Sequence, residues 1–361
     1  MLPVQQNNSD IMEKEKNIVI DFTYLHVLCG FGNIADNFLP RLLSRPHPGI
    51  NYILIVPDDY QGPVEPNIDY IRTSHIASDL RRLGKHVDLW HITSQMSYFP
   101  YYAPGTIRLM TVHDLNFLYE KKGIHRLKHL WRLRLRVALS NYITTISAFA
   151  EKELLRHTRC GCGVKVIYNG ITDMSEVGEK RPSFVSDGDN FFFAIGQILE
   201  KKNYQKLVPM MRFLPGYKLF ICGDDRFPYA AKLRRIIEEE GEGRVFLTGP
   251  VTNEEKKWLY EHCKAFFFPS RLEGFGIPGI EALQMGAQVF ASRLGSLPEI
   301  LSDHAFYFDS FEPEQMAGTV KDGLRKPKDV SAMKDYANKF SYDRYTDKYI
   351  ALYHKLLGLD K

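Results

Sequence analysis

The stretch that most restricts how this chain can fold is Ala265–Ile300, AFFFPSRLEGFGIPGIEALQMGAQVFASRLGSLPEI. Ala265–Phe268 is apolar and aromatic, the make-up of a short buried strand, and Pro269 ends it. Two carboxylates, Glu273 and Glu281, follow eight positions apart, with Gly274-Phe275-Gly276 and Pro278 between them. Proline in the first turn of a helix loses nothing, because its φ is preset and the missing N–H has no helical partner there. The order is therefore strand, acidic glycine loop, helix. Amides at a helix start attract phosphate, and bare glycines admit a ligand close to the backbone. Glu281 falls about one turn into the helix, placed to accept hydrogen bonds from hydroxyls. A phosphate cradle flanked by two acids points to a nucleotide-sugar site.

The same alternation runs through the rest of the chain. Strands are expected at Asn17–Phe22, Asn51–Val56, Val87–Ile92, Ile107–Val112, Tyr142–Ile146 and Val164–Tyr168, with helices through Leu43, at 123–139 and at Ala148–His157. Near-continuous apolar strands suit a parallel sheet covered on both faces. Residues 171–190 turn polar and hold Pro182 and several glycines. The pattern then restarts with strands at Phe191–Ile195, Tyr217–Cys222, Arg244–Leu247, Gln288–Ala291 and Ala305–Phe308, and helices at Tyr204–Phe213, Ala230–Glu240 and Asn253–Cys263. The expected fold is α/β, two doubly wound Rossmann-like domains facing a cleft. The expected division is a disordered lead-in over 1–16, a first domain over 17–170, a linker over 171–190, a second domain over 191–341 and a last helix within 342–361. At 361 residues with 44% hydrophobic content, the chain can build two cores.

Five cysteines, with no CxxC pair, read as free thiols in a reducing compartment. The first sixteen residues lack an apolar h-region, and no apolar run approaches the ~20 residues needed to span a bilayer. The expected location is the cytoplasm.

Several groups sit where strand ends meet loops, which is where open α/β sheets bind ligands. Gly30 and Gly32 resemble part of a dinucleotide fingerprint, but Ala35 stands where its third glycine belongs. A generic tight turn and a phosphate contact both remain open there. His113 and Asp114 follow Ile107–Val112, with Asp114 suited to start a helix. Gly196–Asn203 places Lys201 and Lys202 at the end of Phe191–Ile195, one to offset diphosphate charge and the other solvated. Asp187-Gly188-Asp189, Asp58-Asp59 and Asp224-Asp225 read as turns rather than metal ligands. Residues 121–136 carry seven Lys/Arg, and no acid occurs between Glu120 and Glu151. At helical spacing Lys128, Arg132 and Arg136 share a face with His129, while Ile124, Leu127, Trp131 and Leu135 share another. Such a helix suits an anionic membrane surface; the plainer alternative is a core helix with a solvated basic side, and no nucleic-acid-binding motif supports a third. Serine-hydrolase, zinc-protease and P-loop signatures are missing.

Taken together, these residues resemble the retaining glycosyltransferases of family 4, which have the GT-B fold. The resemblance runs from Asn17 to Leu357 and rests on the E-x7-E pattern in PSRLEGFGIPGIEALQMG. CGFGN, HDL, ITTISAFAEKELL, VIYNGI, GQILEKKN and LGSLPEI support it. It implies catalytic roles for His113, Lys202 and Glu273. His113 would touch the donor sugar, Lys202 would neutralise the diphosphate, and Glu273 would lie by the sugar. Glu281 would hold the ribose, and Gly274, Phe275, Gly276 and Ile277 would lie near sugar and phosphate. Gly30, Gly32, Gly196, Gln197, Lys201 and Gly249 complete the implied donor site. Gln197 stands where family members often have arginine, which throws phosphate neutralisation onto Lys201 and Lys202. The closing helix would cross back onto the first domain.

The implied reaction moves a hexose, of mannose or glucose type, from a nucleotide-sugar to a hydroxyl of a glycan or lipid-linked saccharide in cell-surface polysaccharide synthesis, with retention at the anomeric carbon. Positioning and charge stabilisation would supply catalysis, with no cofactor and no metal. Expected partners are the donor, the acceptor and an anionic membrane, and no nucleic acid. An epimerase acting on nucleotide-sugars and a non-catalytic nucleotide-binding, membrane-associated protein are the alternatives. The acceptor pocket is expected in loops 57–75 and 94–105.

Overall fold

The computed structural model describes residues 15–27, 30–46, 48–97 and 104–359. Most of the expected lead-in, Cys29 and part of loop 94–105 lie outside them. The first half of the chain runs β1 (Lys16–Asp21), α1 (Gly30–Leu43), β2 (Ile50–Val56), β3 (Ile68–Arg72), α2 (Ile76–Leu83), β4 (Leu89–Ile92), β5 (Ile107–Val112), α3 (Phe117–Glu120), α4 (Gly123–Leu139), β6 (Tyr142–Thr145), α5 (Ala148–His157) and β7 (Gly163–Val166). The second half runs β8 (Phe191–Ile195), α6 (Leu207–Met210), β9 (Lys218–Cys222), α7 (Tyr229–Glu240), β10 (Val245–Gly249), α8 (Asn253–His262), β11 (Ala265–Phe268), α9 (Ile277–Gln284), β12 (Val289–Ser292), α10 (Leu297–Leu301), β13 (Phe306–Phe308), α11 (Pro313–Arg325), α12 (Val330–Ala337) and α13 (Tyr342–Leu357). The strands form two sheets, ordered β3-β2-β1-β4-β5-β6-β7 and β10-β9-β8-β11-β12-β13.

The chain forms two compact units. One comprises Met1–Thr111, Leu139–Tyr142 and Tyr349–Lys361; the other comprises Val112–Ala138 and Ile143–Lys348. The second unit thus holds the six-stranded sheet together with His113 and all but the last residue of α4. The end of α13 belongs to the first unit. There Tyr353 Oη lies 2.7 Å from Nδ1 of the fully buried His91, and Thr111 Oγ1 lies 2.8 Å from its Nε2. Tyr349 stacks on the same imidazole at 4.9 Å between ring centroids. A buried imidazole with both nitrogens partnered is a satisfied polar group and contributes to anchoring the helix.

The second unit shows why its strands read as apolar runs. Pairings throughout its sheet are parallel, and helices cover both faces. Alternate residues therefore enter different cores. Phe191, Phe193, Phe266 and Phe268 join one, while Phe192, Ala194, Ala265 and Phe267 join the other. Across strands Phe192 meets Phe267 at 4.7 Å, and Phe290 meets Phe306 at 4.8 Å. The polar segment 171–190 packs too, with Ile171, Met174 and Val185 buried in the first of these cores.

Two expectations are corrected. The helix expected over Tyr204–Phe213 breaks into a 3-10 turn, α6 and a second 3-10 turn, since Pro209 cannot donate to the helical ladder. Gly30 and Gly32 belong to α1 rather than to a loop. A Cβ on Gly32 would sit 1.8 Å from the Val27 carbonyl oxygen, so the chain's own backbone already requires glycine there.

Candidate donor site in the second unit

In the six-stranded sheet the chain winds outward from β8 in both directions, through β9 to β10 and through β11 to β13. The strand order reverses between β8 and β11. The loops leaving those two strands part there and open a crevice, the usual ligand position in a doubly wound sheet. The loop after β8 is Gly196–Asn203, and the loop after β11 is Pro269–Gly276.

Lys202 and Glu273 meet across this crevice. Nζ donates to Oε1 at 2.6 Å, and the ammonium lies 5.5 Å from the Phe268 ring centroid. Lys201, its neighbour, pairs instead with Glu120 at the end of α3, at 2.7 Å. The expectation that one of the two lysines is solvated is therefore corrected. They sit in a 3-10 turn, Glu200–Lys202, where successive side chains point about 120° apart, and each finds its own acid. Both are partly buried.

Backbone contacts clamp the Glu273 loop on three sides. Arg271 N donates to Lys201 O at 2.7 Å. Ser296 Oγ donates to the carbonyls of Glu273 and Phe275 at 3.1 and 2.8 Å. Ser147 Oγ, which caps α5 by accepting from Ala150 N, donates to Gly274 O at 2.7 Å. Glu299 of LGSLPEI accepts from the Ala148 and Phe149 amides at 2.6 and 2.9 Å. The separate sequence matches ISAF, LEGFG and LGSLPE are thus one connected support.

Two glycines in this loop are structurally required. A Cβ on Gly274 would lie 2.7 Å from the carbonyl oxygen of buried His113 and 2.9 Å from Asp114 Cβ. The close approach at Gly274 is thus to the β5 loop. Gly276 caps α9 with φ 108°, a conformation that side chains rarely adopt. Ile277 opens that helix, and buried Phe275 packs on Tyr168 and Phe340.

Glu281 is buried on α9. It accepts from Lys256 Nζ at 2.9 Å and from Tyr260 Oη at 3.3 Å, both on α8. Burial first, and then the Glu281 carboxylate, push the Tyr260 phenol far above its ordinary range. Neither partner is legible in sequence. Lys256 and Tyr260 share a helix face at i,i+4, but nothing local links that face to Glu281.

The remaining expected donor residues have varied positions. Gly196 follows β8 and Gly249 ends β10, and between them Gly196 N donates to Cys222 O and Gly223 N to Gly249 O at the end of β9. Gln197 lines a cavity of about 940 Å³ with Leu199, Lys201, Arg271, Leu272 and Gly295. Tyr119, Glu120 and Phe149 form another wall. The structure brings Lys202, Glu273, Gly196 and the His113 backbone together, while Glu281 sits within the α8–α9 layer. Gly30 and Gly32 belong to the first unit. Asp114 turns back to accept from the backbone and side-chain N–H of Asn116, at 2.9 Å each, rather than capping a helix. Burial pushes its carboxyl up, against the pull of that amide and Lys201. Tyr204 Oη is fully buried without a hydrogen-bond partner. Asp187 and Asp189 pair with Arg181 and Lys218.

The family described as "Glycosyl transferases group 1" matches residues 177–340. The O-antigen chain mannosyltransferase RfbU of Salmonella typhimurium is 26% identical over 239 residues, covering 65% of this chain and 65% of that protein. The O-antigen chain mannosyltransferase B of Escherichia coli is 24% identical over 234 residues, covering 60% of each. The match spans less than two thirds of these relatives' own lengths. Among solved structures, sucrose-phosphate synthase from Thermosynechococcus elongatus has a TM-score of 0.76 at 17% identity, covering 96% of this chain and 100% of that one. Anabaena HepE, solved with UDP and glucose, has a TM-score of 0.72 at 14% identity, covering 94% and 100%. Likeness at such identities establishes the fold, and it is the two-sheet α/β architecture expected from the sequence.

Proposed function

Residues 177–340 of this chain are a glycosyl transferases group 1 domain, and on that premise we propose that the protein transfers a hexose, of mannose or glucose type, from a nucleotide-diphosphate sugar to a hydroxyl of a glycan or lipid-linked saccharide. The observation that carries this reading is the Lys202–Glu273 pair across the β8/β11 switch point. A cation and an acid held together at a strand-end crevice are what a diphosphate leaving group and an adjoining sugar call for. Lys202 offsets charge developing on the diphosphate, and Glu273 orients sugar hydroxyls. Glu281 takes the ribose, exchanging its bond from Tyr260 for one from the nucleotide. Gly196, Gln197, Gly249 and the Phe275–Ile277 amides border the phosphates. His113 reaches the sugar from the end of β5.

No covalent nucleophile is required. Retention follows from front-face attack, in which the leaving diphosphate helps to take the acceptor proton while the protein supplies position and charge. Lys201 and Lys202, rather than a metal, supply that charge. The mannosyltransferase relatives support mannose as the sugar and O-antigen-type polysaccharide as the product class, and a lipid-linked acceptor makes peripheral contact with an anionic membrane part of the reading. GDP-mannose, UDP-glucose and UDP-N-acetylglucosamine, radiolabelled and offered in turn, test it. One donor is expected to bind and turn over, and Glu281→Ala to lose most of that affinity. If none binds or turns over, the transferase reading fails.

A further inference from the structure

Helix α4 has two apolar faces, and only one of them is inside. Leu133 and Val137 are buried. Ile124, Leu127, Trp131 and Leu135 are exposed by 77%, 59%, 64% and 45%. Their spacing of three, four and four residues makes one ridge, and at about 100° per residue that ridge points away from Leu133 and Val137. A core helix with a merely solvated basic side is thus excluded, because its larger apolar face is the solvent face. Basic residues flank the ridge. Exposed Lys128 and Arg132 lie along one side. Arg134 lies along the other, its Nε donating to His157 O at 3.0 Å. The seven Lys/Arg of 121–136 exceed the net charge of +4 carried by the whole chain. Their field is also visible at His129, whose imidazole is held below its ordinary range by burial and then by Lys121, Arg132, His125 and Lys128.

We propose that α4 is a lipid-docking helix, lying in the plane of an anionic bilayer with Ile124, Leu127, Trp131 and Leu135 immersed and Lys128 and Arg132 at the headgroups. An apolar ridge between cations is the arrangement an interfacial helix requires, and it fits neither a free aqueous surface nor a neutral protein groove. The helix does not cross the membrane; among the described residues no helix is long and apolar enough to do so. Sugar transfer is not needed for this inference, so the two are tested apart.

Flotation of the full chain with phosphatidylcholine vesicles, with and without phosphatidylglycerol, is the test. The wild type is expected to float only with the anionic vesicles. Lys128→Glu with Arg132→Glu is expected to lower that partition by at least about 25-fold, since each cation near an anionic surface is worth about fivefold, two are lost, and the new carboxylates add repulsion. Trp131→Ala is expected to lower it on the order of tenfold through lost apolar contact. The wild-type tryptophan emission shifts to the blue on binding, and Trp131→Phe abolishes the shift. All these side chains are exposed, so melting temperatures stay at the wild-type value, and transfer to a soluble acceptor continues in every variant. Equal binding to both vesicle types, or unchanged binding by the double variant, overturns the proposal. So does a concentration-dependent dimer in sedimentation velocity that Trp131→Glu dissolves while vesicles leave the protein behind, for the ridge is then an interface between copies.

Discussion

Two of the lysine–glutamate pairs in the second unit, those of Glu273 and Glu281, look alike in sequence terms and differ in structure. Lys202 and Glu273 come from loops leaving strands on opposite sides of a switch point. Lys256 and Glu281 come from adjacent helices, and Glu281 also holds Tyr260. The first pair joins two loops whose courses diverge, so a ligand entering the crevice can separate it at modest structural cost. The second lies in a helix layer where Glu281 itself is buried, so losing Lys256 leaves that carboxylate with Tyr260 as its remaining described side-chain partner. Under the proposed function the two acids eight residues apart divide the work, Glu273 at the reacting end of the donor and Glu281 where the scaffold and the nucleotide would share a carboxylate.

Substitutions can break that contrast. Lys202→Ala should lower kcat by about 10²–10³-fold, the usual consequence of losing a preorganised charge-stabilising group, with the melting temperature little changed. Lys256→Met should do the reverse in kind. It strands Glu281 and should cost about 2 kcal/mol in denaturant unfolding, less than a fully buried pair because the lysine is partly exposed, while kcat stays within a few-fold. Equal stability losses in both variants would erase the distinction. Tyr260→Phe removes hydroxyl contacts to Glu281 and the Pro278 carbonyl. It should cost about 1 kcal/mol of stability and leave Glu281 freer for a nucleotide, lowering the donor KM. At the smallest end, incubation with EDTA should leave turnover unchanged, and recovery by added Mg²⁺ after a loss would transfer the charge work from the lysines to a metal.

Legibility in the sequence followed the range of the interactions. Strand–helix alternation, the two faces of β8 and β11 and the extent of α4 depend on neighbours a few residues away, and the sequence carries them. β3 and α2 escape the same reading because they bury little, only Ile68 and Ile71 on the strand and Asp79 and Leu80 on the helix. Their segment reads as polar loop. Within the site, the loops that carry Lys202 and Glu273 are visible as motifs. Their partners are not, since Glu120, Ser147 and Ser296 lie far from them in sequence, and Lys256 is equally remote from Glu281. The outward ridge of α4 is legible as a stripe but not as an exposed one, because periodicity identifies a face without saying what covers it.

The contact at Gly274 limits how such a site can be altered. With the His113 carbonyl where a side chain would have to go, position 274 is closed to substitution, and any variant there must first displace the β5 loop. Arg271, Leu272 and Gln197 line the cavity beside it, and the Arg271 contact to Lys201 O runs through its backbone N–H, which a change of side chain leaves in place. Libraries aimed at donor choice should therefore randomise those three positions and leave the glycine fixed, separating the residues that hold the loop from those that can be rewritten.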